Sequence, residues 1–273
     1  MKKNIQNKKL PLWLAPVRFA YRLFTKVVRS NVLLKQVNIG EIKYLVWVNE
    51  DIGKKLLYLR RFENAETKVF KQHLMEGGVC LDIGGNIGYY SLNMSKYVGN
   101  TGRVYVFEPI KRNWLLIQLA LEINDFSDNT QVYCEAATNY DGEVLIDEPE
   151  DGAYAHIATT VNKAGNKVPC RKIDTFVAEN NLTQIDAVKI DVEGAELLVL
   201  KGATATLESL QPKLIMVELV TQYLDRFNST ISEVVSFMAR YGYAPYVATP
   251  SGDLEPFTQN LQDKIFNVFF KVR

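Results

Sequence analysis

The sequence predicts an α/β fold, a mostly parallel sheet with helices on both faces. Two observations predict it. From Val79 onward, short apolar runs rich in Val and Ile alternate with stretches of helical periodicity, which is the pattern of βαβ units. Two of the strand-like runs also end in turns holding both acids and glycines, Asp82-Ile-Gly-Gly-Asn-Ile-Gly88 and Asp191-Val-Glu-Gly194. Doubly wound sheets place their ligand sites at such strand ends. The 273 residues are 47% hydrophobic and 23% charged, enough to bury a sizeable core.

The elements follow in order. Residues 1–40 hold nine of the 32 Lys and Arg and no acid, so the remaining 23 cations face all 31 acids and the rest of the chain carries a net −8. Residues 1–40 therefore read as a basic extension and 41–273 as one domain. In the extension, Leu14, Val17, Tyr21, Phe24 and Val28 share one helix face, and Arg18, Arg22, Lys26 and Arg29 another. A basic amphipathic helix over 14–29 either packs on the body or lies on an anionic membrane surface. Glu41–Asn49 alternates as a strand. Asn64–Met75 reads as a helix closed by Gly77-Gly78. Then come strand Val79–Ile83, helix Asn86–Tyr97, strand Arg103–Phe107, helix Trp114–Ile123 and strand Gln131–Cys134. Strands Gly142–Ile146 and Lys167–Ile173 flank a polar excursion, Asp151–Gly165. Strand Ala187–Ile190, helix Glu196–Leu210, strand Leu214–Val217, helix Ile231–Tyr241 and strands Tyr243–Ala248 and Ile265–Val272 complete the chain.

Cys80, Cys134 and Cys170 are an odd count with no metal-binding spacing, and no secretory leader precedes them, so they read as reduced thiols of a cytoplasmic protein. No apolar run approaches the roughly 18–20 residues that span a bilayer. The body is acidic and shows no aromatic-interleaved basic stripe, which argues against nucleic acid as a partner.

The first acid–glycine turn narrows the ligand. Glycines let the backbone turn sharply and approach a ligand closely, and the following helix offers unpaired N–H groups there. Gly84, Gly85 and Gly88 do not have the G-x-G-x-x-G spacing of a dinucleotide loop. Asp82 at the mouth disfavours a pyrophosphate and suits a ligand carrying an ammonium and a sulfonium, such as S-adenosylmethionine. Glu108, 24 positions after Gly84 at the end of the next strand, suits a ribose diol. That position alone fits NAD equally well.

These residues resemble the FkbM family of methyltransferases. The resemblance runs in order from Glu63-Asn-Ala-Glu66 through Asp82–Gly88, Val104-Tyr-Val-Phe-Glu-Pro109, Asn124, Glu135-Ala-Ala137, Ile173-Asp-Thr175 and Lys189-Ile-Asp-Val-Glu-Gly-Ala-Glu196 to Glu218. Gly85 departs from it, since the family more usually has alanine there. The resemblance implies a Rossmann-like class I methyltransferase fold, a mostly parallel seven-stranded sheet with its last strand antiparallel. It also implies methyl transfer from S-adenosylmethionine to a hydroxyl of a sugar, glycan or natural-product metabolite. By position, Asp82, Gly84, Gly85, Asn86 and Gly88 would form the cofactor loop. Glu108 and Pro109 would lie at the ribose, Glu135 and Ala136 near the adenine, and Asp191 and Glu193 beside the methyl group.

An alcohol acceptor must lose a proton, so a base within hydrogen-bond reach helps. Asp191 is the first candidate; Glu218, at a strand end, and His156, in the excursion, are the others. Glu193, Glu218 and His156 are candidates for acceptor contact. Lys189 reads as a structural partner of a nearby carboxylate, Glu196 as an acid favouring a helix N-terminus, and His73 as structural. A divalent metal on Asp191, Glu193 and Glu218 is conceivable, but their spacing does not require one. Two other readings stand beside methyl transfer: an NAD-type oxidoreductase on a similar sheet, and a non-catalytic module docking through its basic arm. The expected location is cytoplasmic, with peripheral contact at the inner membrane face through residues 14–29.

Overall fold

A computed structural model describes residues 34–147, 155–158, 165–258 and 265–273. The amphipathic stretch 14–29 and most of the Asp151–Gly165 excursion lie outside the described residues. Strands β1 (Leu34–Ile39) and β2 (Ile42–Trp47) form an antiparallel hairpin through Gly40, whose φ of +56° suits glycine. The boundary expected after residue 40 thus falls in the turn of this hairpin. Val37, Tyr44 and Val46 are buried in the main core, so β1 is part of the body and not of the arm.

The large sheet contains β3 (Val79–Ile83), β4 (Arg103–Phe107), β5 (Thr130–Tyr133), β10 (Ala187–Ile190), β11 (Leu214–Val220), β12 (Tyr243–Ala248), β13 (Leu254–Pro256) and β14 (Ile265–Val272). Their order is β13-β12-β14-β11-β10-β3-β4-β5. The five strands from β11 to β5 are parallel, and β14 runs antiparallel between β11 and β12. Seven of these strands make the expected Rossmann-like sheet with its last strand antiparallel. The eighth, β13, is a three-residue edge strand folded back on β12.

Helices α1 (Asn64–His73), α2 (Tyr89–Val98) and α3 (Lys111–Ile123) contribute to one buried cluster with the β1–β2 hairpin. Helices α4 (Ile173–Glu179), α5 (Glu196–Lys201), α6 (Thr204–Ser209) and α7 (Ile231–Arg240) contribute to the other. Alternation along β3 divides its side chains between the two, with Cys80 in the first and Leu81 and Ile83 in the second. Each face therefore holds a core, as helices on both sides of a parallel sheet require.

A smaller sheet, β6 (Ala136–Ala137), β9 (Asn166–Arg171), β7 (Gly142–Asp147) and β8 (His156–Ile157), stands beside the first. The strand expected over Lys167–Ile173 stops at Arg171, and Ile173 begins α4. The helix expected over Glu196–Leu210 is split into α5 and α6 at Gly202, where a Cβ would stand 2.0 Å from the Thr138 carbonyl oxygen. The helix expected from Asn86 starts at Tyr89, because Asn86 and Gly88 both have positive φ. Strand β11 runs on to Val220, so Glu218 lies within it, opposite Asn267 of β14. No described helix is long and apolar enough to cross a membrane.

Candidate active site

The carboxyl ends of β3, β4 and β10 open into a cleft of about 620 Å³, lined by Gly84, Asn86, Glu108, Pro109, Glu135, Ala136, Asp191 and Glu193 among others. Its lower edge is made of backbone. The N–H groups of Gly84 and Gly85 both donate to the Phe107 carbonyl, at 2.9 and 3.0 Å. Gly84 has φ +83°, and a Cβ on it would stand 1.8 Å from the Asp191 carbonyl oxygen. Only glycine lets the β3 loop touch the β10 loop there. Asn86 takes φ +50°, which aims its N–H at Glu108 Oε2, 2.7 Å away. The other Glu108 oxygen accepts the Ile110 N–H at 2.8 Å. Burial pushes the Glu108 carboxyl up to about 7, against the pull of these two backbone donors.

Three residues expected in the cofactor loop act from behind the cleft. Asp82 is fully buried beneath it. Its Oδ2 accepts from Ser91 Oγ at 2.5 Å, and its Oδ1, which has no hydrogen-bond partner, lies 3.7 Å from Lys189 Nζ. In β3, level with Lys189 and Val106 of the flanking strands, it is absent from the cleft lining. Burial raises its pKa, with Lys189 opposing. Gly85 packs on Val106 and Ile117, and Gly88, at φ +84°, packs on Ile117 as the residue before α2.

The far wall comes from the small sheet and the β4–α3 turn: Ile110, Ala136, Ile146, Ala155, His156 and Ile157. Glu135 is held in an ion pair by Arg171, which also reaches Glu179 at 3.0 Å. His156 sits on β8 with Nε2 3.9 Å from Asp147, so it lies on this wall and not on the β10 loop. Asn113 of α3 also lines the cleft, 2% exposed, with an Oδ1 that has no partner. Sequence reading missed it, because nothing local distinguishes it from a core-facing helix polar residue.

On the other flank, carboxyl groups gather around one ammonium. Lys189 Nζ donates to the Gly84 carbonyl at 2.7 Å and lies 3.2 Å from Asp191 Oδ2. Burial alone would lower the Lys189 pKa, but Asp191 and Asp82 outweigh it and hold it above its ordinary value. Glu218 hydrogen-bonds Asp191, and chiefly the Asp191 charge, then burial, push Glu218 up to about 10. Burial carries Glu193 to about 8 and Glu63 to about 7, although Tyr90 Oη donates to Glu63 Oε2 at 2.6 Å. Glu63 and Tyr90 were not expected at the site; only the fold brings them to β10. Glu196 accepts the Val192 and Gly194 N–H groups at 3.1 and 3.0 Å, locking the β10 loop from the start of α5. His73 Nδ1 lies 2.9 Å from the Val69 carbonyl within α1. Among the described residues, no three metal-ligating side chains are grouped to hold a cation.

The donor set fits S-adenosylmethionine. The lining residues include four carboxylates, Glu108, Glu135, Asp191 and Glu193, and neither Lys nor Arg. A lining without Lys or Arg offers a pyrophosphate no cationic partner, while its carboxyl groups can meet hydroxyls and an ammonium. The apolar wall offers a surface for a base, and the orphaned Asn113 oxygen is an acceptor awaiting a donor.

The Methyltransferase FkbM domain matches residues 82–245. A curated fungal protein, Methyltransferase 1 of Beauveria bassiana (strain ARSEF 2860), is 27% identical over 149 residues, covering 45% of this chain and 57% of that protein. The match thus spans little more than half the relative's length. Among solved structures, a SAM-dependent methyltransferase from Aquifex aeolicus superposes with TM-score 0.45 at 15% identity, covering 81% of this chain and 98% of that one. A SAM-dependent O-methyltransferase from Thermotoga maritima gives TM-score 0.44 at 11% identity, covering 84% and 73%. Since the domain match takes in the Gly84 loop, Glu108, Asp191 and Glu218, the chain belongs to the FkbM family of SAM-dependent methyltransferases.

Proposed function

We propose that this protein transfers the methyl group of S-adenosylmethionine to a hydroxyl oxygen of a sugar, glycan or related metabolite. The observation that carries this reading is the Asp191–Glu218–Lys189 cluster at the rim of the Gly84 loop. Gly84 and Asn86 would hold the methionine part, Glu108 the ribose, and Ile110, Ala136, Ile146 and Ile157 the adenine. When bound, the cofactor supplies an electrophilic methyl carbon. The chain aligns the acceptor oxygen with it and excludes water, which can supply much of the acceleration. Asp191 is the base. Lys189 Nζ lies beside it on one side, and Glu218, whose carboxyl holds its proton, lies on the other. An acceptor hydroxyl then donates to Asp191 as its oxygen attacks.

Calorimetry with S-adenosylmethionine and its demethylated product, followed by mass spectrometry of candidate glycans and metabolites incubated with labelled cofactor, tests the proposal. Micromolar binding of both ligands, and label in a new methyl group bonded to an oxygen of the product, are expected. Absence of binding by the folded protein overturns the reading. The NAD-type alternative predicts a change in NADH fluorescence on mixing. The cation-free lining supports no change.

A further inference from the structure

The chain between β2 and α1 carries a surface with no role in the cleft. A helical turn, Asp51–Lys54, runs into a π-helical turn, Lys55–Leu59. It is clamped at its base: Leu56 is fully buried, and a Cβ on Gly53 would stand 1.8 Å from the Trp47 carbonyl oxygen. With that anchor fixed, Tyr58 and Leu59 project outward, 74% and 57% exposed. Single exposed apolar residues are ordinary. These two, however, are the one adjacent pair among the large exposed hydrophobics of the described residues. Lys54, Lys55, Arg60 and Arg61 surround them, all exposed, and none makes an ion pair among the described residues. Arg60 donates to the Asn38 carbonyl at 3.1 Å, and Lys55 lies 5.3 Å from the Phe62 ring centre, so both bases are tethered close to the apolar pair.

We propose that Lys54–Arg61 docks this protein on an anionic lipid bilayer. An exposed tyrosine and leucine suit the boundary between headgroups and acyl chains, and a ring of unpaired cations suits acidic headgroups. An acidic protein would satisfy the cations but leave the apolar pair in water; a second copy of this chain would oppose four like charges at close range. The surface is also placed for use. Lys55, Leu59 and Arg61 line a groove together with Glu63, the carboxyl that receives the Tyr90 hydroxyl beside Lys189. Docking therefore brings lipid to the groove that Glu63 shares. The docking surface rests on exposure and charge and not on methyl transfer, so either reading can fail without the other.

The test uses the full chain with extruded vesicles of phosphatidylcholine, alone or mixed with phosphatidylglycerol, read by co-sedimentation at low and high salt. Two variants are compared with the parent: Tyr58→Ser with Leu59→Ser, and Lys54→Gln, Lys55→Gln, Arg60→Gln and Arg61→Gln together. All six side chains are exposed, and thermal melting verifies that both variants fold. The parent is expected to bind the mixed vesicles and to lose binding as salt rises. Affinity should fall about tenfold in the apolar variant and on the order of 1,000-fold in the cation variant at low salt. The proposal is overturned if the parent binds no vesicles, if it binds neutral vesicles equally, or if both variants bind like the parent, which would assign binding to residues outside the patch. A change in self-association on ultracentrifugation, with vesicle binding intact, overturns it in favour of a second copy as the occupant.

Discussion

On the flank of the cleft proposed for the cofactor, most contacts come from backbone. Two glycine N–H groups share one carbonyl, an asparagine N–H and an isoleucine N–H meet Glu108, and Gly84 touches the Asp191 carbonyl oxygen. On the flank proposed for the acceptor, Glu63, Tyr90, Lys189, Asp191, Glu193 and Glu218 come from separate stretches of chain and meet through side chains. The first arrangement constrains residue type at fixed spacing, since positive φ and close approach select glycine and asparagine. The second constrains charge balance in a buried volume, and many sequences meet that condition. A backbone-built flank should therefore fail by losing geometry, and a side-chain-built flank by losing a charge.

The sharpest break in the comparison is Asp191→Asn. It removes the charge the acceptor flank is organised around and leaves the Gly84 loop in place. Methyl transfer should fall on the order of 10²- to 10⁴-fold, while the Kd for S-adenosylmethionine, read by calorimetry, changes by only a few-fold. Equal losses in rate and cofactor affinity would place Asp191 in cofactor holding instead.

Glu108→Ala attacks the other flank. It leaves the Asn86 and Ile110 N–H groups without their acceptor and removes the carboxylate proposed for the ribose. Hydrogen bonds to a charged group contribute about 1.5–3 kcal/mol each, so the cofactor Kd should rise at least tenfold. Turnover at saturating cofactor should fall far less than in Asp191→Asn.

The same contrast governs what could be read from residues alone. The alternating strands and helices, the Gly84 loop and the position of Glu108 were legible, because each is a local constraint on residue type. The antiparallel last strand followed from family resemblance. Hairpin strand β1 was missed because its Lys35 extends the basic run, which hid Val37 from a reading based on charge. Helix α4 was missed because its seven residues follow directly on a strand. The break between α5 and α6 was missed because it answers to the Thr138 carbonyl, 64 positions upstream of Gly202. Asp191 and Glu218 could be singled out as acids at strand ends. The raised Glu218 carboxyl could not, because it depends on β10 and β11 lying side by side. Asp82 shows the opposite case: an acid in the motif that packs on Ser91 and Lys189 beneath the cleft and is absent from its lining.

Gly85→Ala sharpens the backbone side. The residue has no positive φ, so alanine is sterically allowed by its own backbone and would reduce unfolded-state entropy. Its Cβ would however stand 2.5 Å from Val106 Cγ1 and 3.0 Å from Ile117 Cδ1. Ile117 can yield at its far end; the β-branched Val106, close to its own backbone, cannot yield as easily. The clash should prevail and destabilise the protein by about 1–3 kcal/mol in urea denaturation. A stabilised variant would show that this chain accommodates the alanine its family more usually carries.

The gentlest probe is pH. The Glu218 carboxyl is raised from 4.5 to about 10 in the folded protein, chiefly by the neighbouring Asp191 charge. The folded state therefore holds a proton that the unfolded chain releases near 4.5. The stability that proton brings is full below that pH and is lost progressively up to about 10, so unfolding free energy falls as pH rises. Glu63, Glu108 and Glu193, raised to about 7, 7 and 8, add to the same slope at its lower end. Glu218→Gln keeps the shape and a hydrogen-bond donor for Asp191 but cannot ionise. Between pH 6 and 8 its stability should decline less steeply than the parent's, by up to about 1.4 kcal/mol per pH unit. Parallel slopes would mean that Glu218 is already ionised at pH 6, leaving Asp191 with Lys189 alone as its partner. The acceptor flank would then be a simple ion pair, and its difference from the backbone-built flank would no longer rest on a proton held by Glu218.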